Sequence, residues 1–234
     1  MNVDAVIFDL DGTILDSIGI YYQIIETVFQ HLGMPMPSEN QLREATKSGE
    51  FEWDEVLPDR TRPEKDLLIK KAGVMVAEIY PAMFEKKVKL IPQAKETLEH
   101  ISQKGIKMGL VTSTPRRNLV FKRHALVNAG IEDLLEVVVA ADDVPRKKPA
   151  ADPLLECGHR LGVRAEDSVY VGDSRTDVQA GIAAGMKTVA VLTGFDLKDA
   201  LIRENPDAVI DSIASLKGIL ACRSRTGAAW KSIL

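Results

Sequence analysis

The sequence predicts an α/β fold with a doubly wound, Rossmann-like parallel sheet as its core and an inserted α-helical cap domain. Short apolar runs alternate with stretches of helical periodicity over most of the 234 residues. Several runs are apolar at consecutive positions, as in strands that are buried on both faces. The alternation stops once, in a long block of purely helical pattern. Strand–helix alternation with right-handed crossovers places helices on both faces of such a sheet.

Six runs rich in β-branched residues are predicted strands, at residues 3–8, 106–111, 137–139, 168–171, 187–191 and 208–210. Helices are predicted between them over residues 93–103, 115–128, 152–161 and 176–184. Each of these helical stretches is followed by a glycine, at Gly105, Gly130, Gly162 and Gly185. Glycine is the usual residue after a helix because it adopts the left-handed conformation without strain.

The block that interrupts the alternation follows the first predicted strand. Ser17 is predicted to cap a helix over residues 18–32, Ser38 precedes a second helical stretch, and Pro63 opens a third that ends near residue 86. The predicted core therefore consists of residues 1–16 and 89–221, and the predicted cap of residues 17–88. The tail, residues 222–234, has no predicted role.

Composition and charge exclude several classes of protein. The 30 basic and 34 acidic side chains give a net charge of −4, which argues against a nucleic-acid-binding protein. The two cysteines, Cys157 and Cys222, lie far apart and match neither a disulfide framework nor a zinc motif. No apolar run reaches the length of about 18 residues that predicts a membrane span, and the amino terminus does not resemble a secretory signal. We expect a cytoplasmic protein, monomeric or homodimeric, without a membrane partner.

Two carboxylates follow the first predicted strand in the segment Asp9-Leu10-Asp11-Gly12-Thr13. Ligands of parallel α/β sheets bind beyond the carboxyl ends of the strands, so both acids are expected where a ligand would bind. Gly12 permits the backbone turn that brings Asp11 round to the same space. Taken alone, the motif is also compatible with an acidic turn after a buried strand.

The next motifs follow other predicted strands. Thr112 and Ser113 precede a helix amino terminus and form a candidate anion site, although a simple helix cap gives the same pattern. Lys148 precedes a proline and can present a fixed ammonium group, although such charge clusters are usually solvated. Asp173 and Asp177 are four residues apart and can face one point, where carboxylate oxygens suit Mg²⁺; neutralisation of a helix dipole is the alternative.

In combination, the four strand ends carry an acid pair, a hydroxyl group, a lysine and a second acid pair. In this order the motifs resemble those of the haloacid dehalogenase-like hydrolase superfamily, in its phosphatase branch with a helical cap. The resemblance covers about residues 3–215. It is closest to phosphoglycolate-phosphatase-like and β-phosphoglucomutase-like members, and it implies an enzyme that acts on a small phosphorylated metabolite.

The resemblance also implies roles for single residues. Asp9 would be the nucleophile that forms an aspartyl-phosphate, and Asp11 the general acid and base. Thr112, Ser113 and Gly12 would contribute hydroxyl and backbone N–H groups that hold phosphoryl oxygens.

The remaining motif residues are implied to manage charge. Lys148 would offset the negative charge between the phosphate and Asp9. The expected cofactor, Mg²⁺, would be held by the carboxylates of Asp9 and Asp173 and the carbonyl of Asp11, with Asp177 in support.

Substrate choice is expected to depend on the cap segment of residues 45–51, in which Lys47 and Gly49 are candidate substrate-binding residues. Ser113 stands where many phosphoglycolate phosphatases have asparagine. A phosphosugar mutase and a non-catalytic metabolite-binding module are the alternatives to a phosphatase. The basic residues Arg116, Arg117 and 122–123 are expected to lie on a solvated helix face.

Overall fold

The computed structural model describes residues 1–46, 51–58 and 61–222. Its strands are β1 (Asn2–Val3), β2 (Ala5–Phe8), β3 (Leu15–Asp16), β4 (Lys89–Leu90), β5 (Lys107–Val111), β6 (Val137–Val139), β7 (Ser168–Gly172), β8 (Lys187–Val191), β9 (Ala208–Ile210) and β10 (Ala221–Cys222). Its helices are α1 (Ile18–His31), α2 (Glu39–Ala45), α3 (Trp53–Val56), α4 (Arg62–Lys87), α5 (Ala94–Gln103), α6 (Arg116–Ala129), α7 (Asp152–Leu161), α8 (Arg175–Ala183), α9 (Lys198–Arg203) and α10 (Leu216–Ile219).

Six strands form a parallel sheet in the order β6-β5-β2-β7-β8-β9. Going outwards from β2, the strands follow chain order on both sides, with β5 and β6 on one side and β7, β8 and β9 on the other. This is the arrangement of a doubly wound sheet. The predicted fold class is therefore confirmed, and each of the six predicted strands contributes to this sheet. The first predicted run is longer than β2, because Val3 belongs instead to β1, which pairs with β10.

The core lies on both faces of the sheet because successive side chains of a buried strand point to opposite sides. From β2, Val6 and Phe8 pack in a cluster that includes Leu98 of α5. Ala5 and Ile7 pack on the other face in a cluster that includes Leu154 of α7. All of these side chains are buried, and each large one contributes about 1.5–3 kcal/mol relative to an exposed position.

Helices α1 to α4 lie between β3 and β4, in the part of the chain that is predicted as the cap. Leu15 and Leu90 are register partners in an antiparallel pair, so the two connections to this helical segment run side by side. The side chain of Ser38 accepts a hydrogen bond from the backbone N–H of Gln41 and caps α2 as predicted. Ser17 occupies the cap position of α1, but its side chain makes no capping bond, so its predicted role is wrong.

The predicted helix-closing glycines Gly105, Gly130, Gly162 and Gly185 all have positive φ angles, between 66° and 72°. No helix in the described part of the chain is long and apolar enough to cross a membrane.

Candidate active site

The ends of three neighbouring strands bring the predicted site residues together. Asp9 follows β2, Thr112 follows β5 and Asp173 follows β7, and β2 pairs with both of the other strands. The backbone N–H of Asp9 donates to the carbonyl of Val171 at 2.8 Å, which continues the ladder to the edge of the site. The sheet register therefore fixes the spacing of the three side chains.

Lys148 links two of the acids. Its Nζ donates to Oδ1 of Asp9 at 2.6 Å and to Oδ1 of Asp177 at 2.6 Å. It also donates to the hydroxyl of Tyr170 at 3.0 Å. Lys148 is 6% exposed, whereas its neighbour Lys147 is exposed. The buried lysine is thus a fixed positive charge between two carboxylates, as the lysine–proline motif predicted.

Both carboxylate oxygens of Asp177 accept hydrogen bonds from protein groups. Oδ1 accepts from Lys148 and from the hydroxyl of Tyr170, the latter at 2.9 Å. Oδ2 accepts from the backbone N–H of Ser174 at 3.0 Å and from its hydroxyl at 2.5 Å. Asp177 therefore holds Lys148 in place while it completes the capping box of α8.

The carboxylate of Asp173 packs against the backbone of two glycines, Gly12 and Gly194, where a side chain would overlap it. A Cβ at Gly12, which has a φ of 75°, would lie 2.6 Å from Oδ2 of Asp173, and a Cβ at Gly194 would also overlap this carboxylate. The backbone N–H of Phe195 donates to Oδ2 at 2.9 Å, and the Thr13 hydroxyl donates to Oδ1 at 3.5 Å. The two glycines thus let the chain enclose one side of the carboxylate.

The pKa values of these groups reflect burial and an excess of negative charge. Burial, together with the charge of Asp177, raises the pKa of Asp9 to about 7 in spite of Lys148. Burial and the charges of Asp177 and Asp9 raise the pKa of Asp173 well above its ordinary value. Burial opposes ionisation of Asp177, but Lys148 outweighs it and lowers that pKa. Burial likewise opposes the charge of Lys148, but Asp177 and Asp9 raise its pKa.

The acids Asp9, Asp173 and Asp177 are suited to a divalent metal ion. One oxygen from each lies within 4.8 Å of the others, and all three residues are buried. Lys148 supplies a single positive charge to this group, so a dication would complete the neutralisation that the raised pKa values show to be missing. Carboxylate oxygens are hard ligands of the kind that such ions prefer.

Asp11 lies beside this group and contacts a residue that the sequence analysis interpreted wrongly. Nζ of Lys122, in α6, donates to Oδ2 of Asp11 at 2.5 Å. The Lys122 side chain is fully buried, so the expectation of a solvated helix face is wrong at this position. Burial lowers the pKa of Lys122, although Asp11 opposes the shift.

The spacing of apolar residues along α6 could have predicted the burial of Lys122. Position 122 is three residues after Leu119 and four before Leu126, so it lies on the apolar stripe of α6. The partner of Lys122 comes from a distant strand end and cannot be read from the helix. Tyr21 of α1 and Thr114 also contact Asp11, and no sequence signal singled them out.

A cavity of about 390 Å³ lies over these groups. Its floor includes Asp9, Asp11, Lys148, Asp173 and Asp177, together with Thr112 and Ser113. Its opposite wall comes from the helical segment and is uncharged among the described residues, with Tyr22, Ile25, Leu42, Phe51, Trp53 and Val76. The Oγ1 atom of Thr112 accepts from the backbone N–H of Thr114 at 3.0 Å, which orients the hydroxyl.

One candidate substrate-binding residue, Gly12, stands apart from this cavity, and two others lie outside the described residues. Gly12 is not among the described residues that line it, and its backbone N–H donates to the carbonyl of Leu15 at 2.8 Å. Gly12 packs against the carboxylate of Asp173, which indicates that it supports the position of that side chain. Contact between Gly12 and the substrate stays a prediction. Lys47 and Gly49 lie outside the described residues, so their candidacy also stays a prediction.

The structure has a parallel sheet whose strand ends carry carboxylates and a lysine beneath a helical segment. This is the arrangement expected from the sequence for the haloacid dehalogenase-like hydrolases, and the sequence comparison supports this class. The sequence profile of the haloacid dehalogenase-like hydrolases matches residues 6–191. The chain belongs to this family.

Particular relatives are similar over nearly the whole chain. A phosphoglycolate phosphatase of Nitrosococcus oceani is 30% identical over 93% of this chain and 96% of its own length. A solved structure of a predicted phosphoglycolate phosphatase from Haemophilus somnus covers 94% of this chain and 98% of its own, with a TM-score of 0.77 and 23% identity. A structure described as a candidate β-phosphoglucomutase from Thermotoga maritima covers the same shares, with a TM-score of 0.68 and 25% identity.

Proposed function

We propose that this protein hydrolyses small phosphate monoesters with the help of Mg²⁺ and through an aspartyl-phosphate at Asp9. The reaction is of the kind that the name phosphoglycolate phosphatase describes in its relatives. The observation that carries the proposal is the placement of Asp9 beside the buried Lys148, with Asp11 and Thr112 on the same cavity floor. Phosphoryl transfer depends mainly on positioning and on neutralisation of charge, and this floor offers both.

The nucleophile is a carboxylate oxygen of Asp9. It attacks phosphorus in line with the leaving group, the bond from phosphorus to the ester oxygen breaks, and its electron pair stays on that oxygen. Lys148 donates to Oδ1 of Asp9, so Oδ2 is the oxygen without that bond and the candidate for the attacking atom. The ammonium group of Lys148 also balances the charge that accumulates when a phosphate approaches Asp9.

Asp11 serves in both halves of the reaction. In the first half its protonated carboxyl gives a proton to the leaving oxygen; in the second, its carboxylate takes a proton from water as the water attacks the phosphoryl group. The bond between phosphorus and Asp9 then breaks and free phosphate leaves. Asp11 lines the cavity beside Asp9, within reach of both steps.

The Asp9 and Asp173 carboxylates and the Asp11 carbonyl would hold Mg²⁺, with Asp177 acting through Lys148. Both oxygens of Asp177 accept protein hydrogen bonds, which supports this indirect role. A bound Mg²⁺ would neutralise phosphoryl charge and orient the phosphate. Thr112 and Ser113 would contact phosphoryl oxygens from the end of β5.

We further propose that residues 17–88 act as the cap that selects the substrate and that the enzyme works in the cytoplasm on a free metabolite. The described residues of this segment that line the cavity are uncharged and lie opposite the acids, which supports a role in recognising the leaving group.

The test is phosphate release from a panel of metabolite esters that includes 2-phosphoglycolate, with and without Mg²⁺. Asp9→Asn keeps the side-chain volume and should release no measurable phosphate, because it removes the nucleophilic charge. Intact-mass measurement of quenched wild-type protein should show an added phosphoryl group that Asp9→Asn lacks. Normal turnover by Asp9→Asn would exclude the aspartyl-phosphate. The matched control is Asp142→Asn, which changes an exposed acid beyond the cavity.

A phosphosugar mutase is the second candidate, and the similarity to the Thermotoga maritima structure favours it. A mutase returns the phosphoryl group from the aspartate to a sugar, so it needs a bisphosphate primer and releases little free phosphate. Sustained phosphate release from monoesters without a primer would exclude this candidate.

A further inference from the structure

The ammonium group of Lys122 has three N–H donors, and the structure gives each one an acceptor. They are Oδ2 of Asp11 at 2.5 Å, the hydroxyl of Thr114 at 2.7 Å and the hydroxyl of Tyr21 at 2.8 Å. None is left to bind a substrate. Lys122 therefore uses all of its hydrogen-bond donors within the protein and does not act as a free cation in the cavity.

The same network converges on a single oxygen of Asp11. The Thr114 hydroxyl donates to Oδ2 of Asp11 at 3.0 Å, and the Tyr21 hydroxyl donates to it at 3.5 Å. The other oxygen, Oδ1, is buried and has no hydrogen-bond partner among the described residues. The two oxygens of one carboxylate are thus made unequal by their surroundings.

We propose that Lys122 is a positioning residue, which holds the carboxyl group of Asp11 through Oδ2 and so fixes the orientation in which Asp11 meets the leaving group and the attacking water. This inference rests on the proposed function of Asp11 as acid and base. Two of the three acceptors of Lys122 are hydroxyl groups that also donate to the same oxygen of Asp11. The Asp11 carboxyl group is therefore held on one side by Lys122 and its two hydroxyl partners.

The proton movements of the proposed reaction balance without any proton from Lys122. In the first half of the reaction, a proton of the Asp11 carboxyl group moves to the ester oxygen as the bond from that oxygen to phosphorus breaks. In the second half, Asp11 takes a proton from the attacking water, and the bond between phosphorus and Asp9 breaks. Lys122 holds Oδ2 of Asp11 in both steps.

Aromatic rings surround Lys122 and keep its head group in place. Nζ lies 4.8 Å from the ring centre of Phe84, 5.1 Å from that of Tyr21 and 5.8 Å from that of Tyr80. Ring faces attract a cation at such distances and partly replace the water that burial removes. Removal of one partner of a buried ion pair destabilises a protein, because the other charge is left unpaired. The unbranched Lys122→Met is chosen because it keeps most of the volume of the side chain among the rings.

The experiment compares leaving groups. An alkoxide needs a proton to leave, whereas nitrophenolate is a stable anion that needs little help. Hydrolysis of the aspartyl-phosphate also needs Asp11 and is common to both substrates, so the first turnover is measured by rapid quench instead of kcat. In Lys122→Met we expect the first-turnover rate of alcohol release from an alkyl phosphate to fall about tenfold to a hundredfold, as a general acid contributes about 10²–10⁴. The first-turnover rate of nitrophenolate release from p-nitrophenyl phosphate should fall by less than about threefold, and the substrate concentration at half-maximal rate should change little for both, because Lys122 does not contact the substrate.

Two further variants make the result decisive. Arg117→Met removes an exposed cation from the same helix and should leave both rates unchanged. The first-turnover rate of Asp11→Asn should show the same dependence on the leaving group in a stronger form. If it does not, the acid role of Asp11 in the proposed function fails. If it does and Lys122→Met slows the first turnover of both substrates equally or of neither, the positioning role alone fails.

Thr114→Val keeps the proposal testable if Lys122→Met does not fold. This variant removes one hydroxyl that accepts from Lys122 and donates to Oδ2 of Asp11. The ratio of alkyl to aryl rates should fall by a smaller factor, about threefold. An unchanged ratio in folded Thr114→Val would overturn the proposal.

Discussion

At the scale of single residues, the site concentrates negative charge in a buried place before any ligand arrives. Asp9, Asp173 and Asp177 share one lysine, and the pKa of Asp9 rises to about 7 as a result of burial first and neighbouring charge second. The folded protein therefore binds a proton at Asp9 more tightly than the unfolded chain does, whose ordinary value is 3.8. The stabilisation that this proton gives is present at low pH and lost as the pH rises towards 7.

We expect Asp9→Asn to be more stable than the wild type in the absence of divalent metal, and the difference to grow as the pH rises from about 4 to 7. Since one pKa unit corresponds to about 1.4 kcal/mol, the gain at about pH 8 should be at least about 1 kcal/mol. Urea unfolding in chelator measures it. If the wild type and Asp9→Asn were equally stable at about pH 4 and at about pH 8, the surroundings of Asp9 would not disfavour its charge. Added Mg²⁺ should stabilise the wild type more than the variant.

At the scale of elements, two serines at helix starts have opposite environments. Ser38 forms a reciprocal capping box with Gln41, in which the Ser38 N–H donates to Oε1 of Gln41 at 3.0 Å. The Oγ atom of Ser17 is buried and lacks a hydrogen-bond partner among the described residues. The same residue type at the same helix position is therefore stabilising in one case and not in the other.

The two alanine variants test this difference. Ser38→Ala should lower the free energy of unfolding by about 0.5–2 kcal/mol, because the backbone N–H of Gln41 loses the hydroxyl oxygen that accepts from it. Ser17→Ala should leave it unchanged or raise it, because it removes a buried hydroxyl without a bond. Denaturant titration compares them directly. A loss in Ser17→Ala as large as that in Ser38→Ala would mean that Ser17 has a partner after all.

The segment that joins α2 to α3 includes Lys47, and its role in specificity is a prediction from sequence. Thr46 and Phe51, which flank residues 47–50 in the sequence, line the cavity, and we expect Lys47 to recognise the leaving group rather than the phosphate. Lys47→Ala should therefore change kcat/KM unequally across a panel of esters, by about tenfold for the most affected substrate. Acetyl phosphate is the small control substrate. An equal change for all substrates would place Lys47 outside the recognition of the leaving group.

At the scale of the whole molecule, the backbone of one residue, Phe195, connects the helical segment with the acid cluster. The guanidinium group of Arg43, in α2, donates to the carbonyl of Phe195, whose own N–H donates to Asp173. The ring of Phe195 also lies 6.4 Å from that of Tyr22 in α1. The position of the cap helices and the orientation of Asp173 are therefore linked through the loop after β8.

Arg43→Ala should lower kcat/KM about tenfold or more, because small errors in placement have large effects on rate. Its thermal midpoint should stay close to that of the wild type, because the change leaves both apolar clusters intact. Glu39→Ala is the control, since Glu39 pairs with Arg43 across one helical turn but does not reach the loop. Equal activities of Arg43→Ala and the wild type would show that the linkage does not matter for turnover.

The sequence predicted the sheet well because its strands are buried on both faces and its helices end at glycines, which are local signals. It also predicted that Asp9, Lys148 and Asp173 gather at one edge, which follows from parallel topology. It did not predict the burial of Lys122, which depends on a carboxylate from a distant strand. Nor did it predict β3 and β4, because a strand of two residues has no pattern of its own.

That short pair has a consequence for how such a protein can diversify. Because Leu15 and Leu90 are register partners, the 74 intervening positions, 16–89, leave and rejoin the sheet domain at almost the same point. An insertion with adjacent ends constrains its host little, since the host chain would need only a short turn to close without it. Recombination that replaces this segment would therefore change the cavity wall that it contributes and leave Asp9, Lys148 and Asp173 of the sheet domain unchanged.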